Sequence, residues 1–127
     1  MLFRSQACAD GSLAVEGDAA QLRDVFLNLA QNAIQAMPKG GRLTLSCAAA
    51  PNRRVRVRVE DTGVGIAPEN LTRVFELYYT TKERGTGLGL SMVYRTIQIH
   101  NGDIDVESTV GVGTSFIVVL PLAAKLQ

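Results

Sequence analysis

Seven consecutive residues near the middle of the chain alternate without a break. From Arg54 to Glu60, Val55, Val57 and Val59 fall on one side, and Arg54, Arg56 and Arg58 on the other. A period of two is a strand signal, and it requires a sheet with one dry face and one wet face. The rest of the chain must therefore supply a layer that covers the valines. The chain has 127 residues, about one domain's worth. At that size roughly two-thirds of the unfolded surface is buried on folding, enough for a core without staples. A hydrophobic fraction of 46% and a charged fraction of 20% exclude a disordered chain.

The covering layer is legible on either side of the alternating run. Asp18-Ala19-Ala20-Gln21 resembles a capping box, in which Asp18 caps the helix and Gln21 reaches back. Leu22, Val25, Phe26, Leu29, Ala30 and Ala33 follow at helical spacing. Pro38 and Gly40-Gly41 predict an end near Met37. Arg42 to Cys47 alternates as a first strand, ahead of the Arg54–Glu60 strand. Pro68 suits the first position of a short helix whose buried side would be Leu71, Val74 and Phe75. Leu88 to His100 predicts a second long helix with Leu90, Val93, Tyr94 and Ile97 on one face, closed by Asn101-Gly102. Two last strands, Ile104 to Glu107 and Thr114 to Leu120, are joined by a turn holding Gly111 and Gly113. The expected fold class is α/β (α+β): a two-layer sandwich with a mixed, mostly antiparallel sheet and helices on one face.

Charge and cysteine content narrow the partners. Thirteen basic and twelve acidic residues leave a net charge of +1, which gives no global reason to expect nucleic acid. The row Arg53, Arg54, Arg56 and Arg58 lacks interleaved aromatics for base stacking and reads as a solvated sheet face. Cys8 and Cys47 are far apart, form no Cys-x-x-Cys, and read as reduced thiols. No run is long and apolar enough to cross a bilayer or to serve as a signal peptide, so the expectation is a cytoplasmic domain or the cytosolic part of a larger, membrane-anchored protein.

Four constellations could carry chemistry. Asn28 and Asn32 lie four apart on one helix face, where two amide oxygens could meet a hard cation. Asp61-Thr62-Gly63-Val64-Gly65-Ile66 sits at a strand end, where a carboxylate could accept from an exocyclic amine and glycines permit close approach. Gly85-Thr86-Gly87-Leu88-Gly89-Leu90-Ser91 runs into a helix, whose N-terminal N–H groups and dipole suit an anion. Gly111-Val112-Gly113-Thr114 leads into the final strand. Each has a plainer reading: a wet helix face, an Asp-x-Gly turn, a flexible loop, a hairpin turn.

Their order is far more specific than any one of them. Together with Phe75 and the run Tyr79-Thr80-Thr81-Lys82, these boxes resemble the catalytic and ATP-binding domain of two-component sensor histidine kinases, of the nitrogen-regulation-type branch. Those domains belong to the GHKL superfamily and have the Bergerat ATP-binding fold. The resemblance covers Leu13 to Pro121, and residues 1–127 are expected to form a single such domain, with phosphoacceptor and sensor domains absent. It implies ATP and Mg²⁺ as cofactors. Asn28 and Asn32 would be the N box, with Asn32 the metal ligand. Asp61 would accept the adenine amine, Gly63, Gly65 and Ile66 would shape the pocket, and Thr114 would support the base through water. Lys82 would approach the terminal phosphates. Gly85, Thr86, Gly87, Leu88 and Gly89 would present backbone N–H groups to them. The implied catalytic set is Asn28, Asn32 and Lys82.

Departures from the pattern also carry meaning. Gln35 stands where many sensor kinases have Lys or Arg, and Leu77-Tyr78-Tyr79 stands where the branch usually has Pro-Phe. Gyrase-type relatives and anti-sigma-factor serine kinases keep a Glu at the Asn28 position as general base. An amide cannot take up a proton near neutral pH, so the resemblance implies transfer to a protein histidine rather than hydrolysis. The expected partners are a histidine-containing dimerisation domain and, through it, a response regulator. Neither nucleic acid nor membrane insertion is expected, and the isolated domain should be a monomer. A non-catalytic nucleotide-binding regulatory module and a serine kinase of the anti-sigma-factor type remain the alternatives.

Overall fold

The computed structural model describes Val15, residues 17–76 and residues 89–122. Helix α1 spans Ala19–Gln35, β1 Leu43–Ala50, β2 Arg54–Asp61, α2 Pro68–Leu71, α3 Gly89–Ile99, β3 Asp103–Thr109 and β4 Gly113–Pro121. The four strands form one sheet in the order β1-β2-β4-β3. Every pairing among these strands is antiparallel. The chain leaves β2 at one side of β4, crosses by way of α2 and α3, and re-enters on the other side as β3. The β3–β4 hairpin then places β4 between them. This puts the end of β2 beside the start of β4, with Asp61 directly opposite Thr114.

The alternation in β2 decides which face is buried. Val55, Val57 and Val59 register with Leu120, Val118 and Phe116 on the dry face. Val25, Phe26 and Leu29 of α1 and Val93 and Ile97 of α3 pack onto that face and complete the core. The helical stripe read from the sequence is therefore the core stripe, with Leu29 and Ile97 fully buried. Burying such an aliphatic side chain is worth roughly 1.5–3 kcal/mol. The opposite face carries the arginine row beside an acidic row on β3. Arg54 pairs with Asp103 at 2.7 Å and Arg58 lies 3.6 Å from Glu107. The row is flanked by opposite charge, so it forms no continuous basic surface.

Several local readings change in the folded chain. Asp18 does cap α1, its Oδ1 accepting from the Gln21 N–H at 3.1 Å. The reciprocal half of the capping box is replaced: the Asp18 N–H donates to His100 Nε2 at 3.1 Å. A histidine brought in by α3 takes the place that Gln21 was expected to fill. Helix α2 is a single turn, starting at Pro68 and ending at Leu71. Val74 lies buried beyond it. Tyr94, expected on the buried face of α3, is 41% exposed, because its ring stacks on Phe75 at 5.5 Å near the surface. Cys47 is buried on β1, and the only other cysteine, Cys8, lies outside the described residues. None of the helices among the described residues is long and apolar enough to cross a membrane.

Candidate functional site

Asp61 is the last residue of β2 and is buried. Its Oδ1 accepts from the Gly63 N–H at 2.8 Å and from the Thr114 N–H at 3.3 Å. Both donors come from backbone, so the carboxylate is held by the strand end itself and not by a mobile side chain. Its other oxygen, Oδ2, accepts no hydrogen bond among the described residues. A buried carboxylate oxygen without a donor is costly unless a ligand supplies one.

The loop after Asp61 is pinned between two elements. The Val64 N–H donates to Ala36 O, just past α1, at 3.0 Å, and Val64 O accepts from the Gly111 N–H in the β3–β4 turn at 2.9 Å. A methyl group at Gly63 would collide with the Ala36 carbonyl, and one at Gly65 with the Thr109 carbonyl. Gly65 also has φ +80°, in the left-handed region. The resemblance implies that these glycines shape the nucleotide pocket. In the structure their immediate function is to let the loop lie between α1 and the hairpin.

One hydroxyl organises the far side of this loop. Ser108 Oγ, on β3, accepts from the Ile66 N–H at 2.7 Å, lies 2.7 Å from Thr114 Oγ1, and donates to Gly113 O at 3.0 Å. Thr114 is itself buried. Ser108 was missed as a site residue. A usable signal existed: by alternation from Ile104 and Val106 it falls on the buried face, where a polar residue needs a partner.

The second half of the site lies on α1. Asn28 Nδ2 donates to Asp24 O and Asn32 Nδ2 donates to Asn28 O, each at 3.0 Å. With its nitrogen bonded to the helix's own carbonyl, the oxygen is the end of the Asn28 amide that a cation can use. Asn28 Oδ1 faces Gly89 at the start of α3, since a Cβ built there would sit 3.6 Å away. The helix packing thus brings Asn28 to the N-terminus of α3. Phe75 packs edge-on against Phe116, with centroids 6.1 Å apart.

The described site residues therefore gather in two groups. Asp61, Gly63, Gly65, Ile66 and Thr114 meet at the β2–β4 end. Asn28 and Gly89 meet where α1 and α3 pack, with Asn32 one turn further along α1. Lys82, Gly85, Thr86, Gly87 and Leu88 lie outside the described residues, as do Leu77, Tyr78 and Tyr79. A hollow of about 500 Å³ touches Asp61, Ser108 and Thr114, but its remaining walls include Arg42, Arg58, Glu60 and Glu107. These put it largely on the outward face of the sheet, with charges of both signs and no bias towards an anion. No group of three or more His, Cys, Asp or Glu side chains forms a metal site among the described residues.

The chain is similar to known proteins in sequence and in fold. Residues 17–124 match the family described as "Histidine kinase-, DNA gyrase B-, and HSP90-like ATPase". Sporulation kinase C of Bacillus subtilis (strain 168) is 44% identical over 113 residues, which cover 89% of this chain and 26% of that protein. The chain thus spans about a quarter of the length of that curated relative. Among solved structures, full-length ShkA in complex with AMPPNP superimposes with a TM-score of 0.84 at 33% identity, covering 95% of this chain and 26% of that one. The catalytic domain of the histidine kinase ThkA, free of nucleotide, gives 0.80 at 34% identity, covering 91% of this chain and 75% of that one.

Proposed function

Because the chain belongs to the histidine kinase-, DNA gyrase B- and HSP90-like ATPase family, we propose that it is the ATP-binding catalytic domain of a sensor histidine kinase. It holds Mg-ATP and presents the γ-phosphate to a histidine on a separate dimerisation domain, from which a response regulator is served. The observation that carries this reading is Asp61. Its Oδ1 accepts from two backbone N–H groups, while Oδ2 of this buried residue accepts from no described residue. An exocyclic amine of adenine is such a donor.

The remaining roles are those the resemblance to the family implies, and they suit the chemistry of the residues. Asn32 Oδ1 would hold the magnesium ion, since amide oxygens suit a hard cation that keeps most of its shell for water and phosphate. When bound, the ion supplies charge neutralisation to the phosphates. The α3 N-terminus at Gly89, with Gly85, Thr86, Gly87 and Leu88 before it, would present N–H groups to the same phosphates, and Lys82 a point charge. Asn28 orients but takes up no proton, so water is poorly activated and the nucleotide is kept for transfer. The acceptor is not His100, the only histidine in the chain. Its Nδ1 lies 2.8 Å from Thr96 O and its Nε2 accepts from the Asp18 N–H.

Thermal unfolding with and without Mg-ATP tests the reading. Ligand at 100 times its dissociation constant adds about 2.7 kcal/mol, a shift of roughly 8–14 °C for a domain of this size. The parent chain should show it and Asp61→Asn should not. Absence of a shift in the parent would overturn the ATP site. Transfer of labelled phosphate to a dimerisation domain supplied in trans tests the kinase activity itself.

A further inference from the structure

We propose that Ser108 is a positioning residue for base recognition: its hydroxyl sets the hydrogen-bond polarity of Thr114 and anchors the Asp61 loop at Ile66. The proposal rests on the adenine-reading role given to Asp61 above.

The argument is a proton count. A serine hydroxyl has one hydrogen and two lone pairs. Ser108 Oγ has three close partners: the Ile66 N–H at 2.7 Å, Gly113 O at 3.0 Å and Thr114 Oγ1 at 2.7 Å. The Ile66 N–H can only donate, so it occupies one lone pair. The Gly113 carbonyl can only accept, so it takes the Ser108 proton. The one arrangement that satisfies all three contacts makes Thr114 donate into the second lone pair of Ser108. The Thr114 proton is then committed, and its oxygen turns lone pairs towards its surroundings. Thr114 also donates its backbone N–H to Asp61 Oδ1 at 3.3 Å, so the two side chains belong to one corner of the site.

The consequence is selectivity. With Ser108 in place, Asp61 Oδ2 and Thr114 Oγ1 are both acceptors. A base presenting an amine satisfies such a pair, whereas a base presenting a carbonyl meets like dipoles. Without Ser108, the Thr114 hydroxyl can turn and donate to that carbonyl. A site built to pair with a substrate N–H rejects the analogue that lacks it, because its own buried groups are then left unpaired.

The test compares ATP with inosine triphosphate, in which a carbonyl replaces the adenine amine. Dissociation constants for both, with Mg²⁺, are measured by calorimetry for the parent, Ser108→Ala, Ser108→Thr and Asp61→Asn. The ATP preference of Ser108→Ala is expected to fall about tenfold, the worth of one hydrogen bond at the upper end of its range. Ser108→Thr keeps a hydroxyl on a strand-favouring residue and should retain the preference. An unchanged ratio in Ser108→Ala overturns the proposal, and so does an equal loss for both nucleotides, which is what a purely structural role produces. Should Ser108→Ala fold too poorly to measure, Ser108→Thr decides: a retained ratio supports the proposal and a lost one overturns it. A parent chain that binds neither nucleotide overturns the ATP-site reading and this proposal together. Loss of ATP binding in Asp61→Asn, with parental selectivity in Ser108→Ala, overturns this proposal alone.

Discussion

At the scale of single residues, the loop after β2 works by what its side chains omit. Gly63 lies so close to the Ala36 carbonyl that a methyl group there has no space. The collision is with backbone, which cannot rotate away. Gly63→Ala should lower stability by about 1–3 kcal/mol, as overpacking typically does. It should also weaken Mg-ATP, because the Gly63 N–H that holds Asp61 Oδ1 moves with the loop. Urea unfolding reads the first effect and calorimetric titration the second. Asp61 and the two glycines were legible as a motif because strand, carboxylate and turn follow one another in the chain. For Ser108 alternation marks only a polar residue on the buried face; its three partners come from β4 and from the loop before α2, and no local pattern carries that meeting.

At the scale of elements, the helix ends show how local codes are rewritten by packing. Asn101-Gly102 reads as a helix stop, and it is one. The left-handed residue is Asn101, with φ 61°. Its N–H donates to Gln98 O at 3.0 Å and the Gly102 N–H donates to Ile97 O at 2.9 Å, the paired bonds of a Schellman cap. Asparagine tolerates this conformation better than alanine, and glycine better still. Asn101→Ala should cost about 1 kcal/mol, while Asn101→Gly should be neutral or slightly stabilising, both read from chemical denaturation. The same helix end delivers His100 to the N-cap of α1. The capping box of α1 was readable from Asp18 and Gln21, but its second half was assigned to the wrong partner. A side chain 82 positions away was nearer in space.

At the scale of the whole molecule, one core supports both halves of the site. Leu29 is fully buried and belongs to the cluster that joins α1 to α3 and the sheet. Asn28 precedes it and Asn32 lies one turn beyond. Leu29→Ala should cost about 2–5 kcal/mol. It should also weaken Mg-ATP, because the cavity loosens the face that carries the asparagines. A drop in unfolding midpoint without any change in nucleotide affinity would show that the site is held independently of the core. The outward face of the sheet contributes far less. Arg54–Asp103 and Arg58–Glu107 are surface pairs with side chains exposed between 33% and 68%, and such pairs are worth at most about 1 kcal/mol.

What the sequence determined by itself is everything written within one element or one turn: the β2 alternation, the α1 core stripe, Pro68 at a helix start, Asp61 at a strand end, and the asparagine pair on one helix face. These depend on periods of 2 and 3.6 and on the conformational limits of proline and glycine, which act over a few residues. Only the tertiary structure decided that β4 lies between β2 and β3, that Asp61 therefore faces Thr114, and that Ser108 closes the corner behind them. Strand order follows from which faces can be buried together, and the hydrogen bonds across it join residues that only the common core brings within reach.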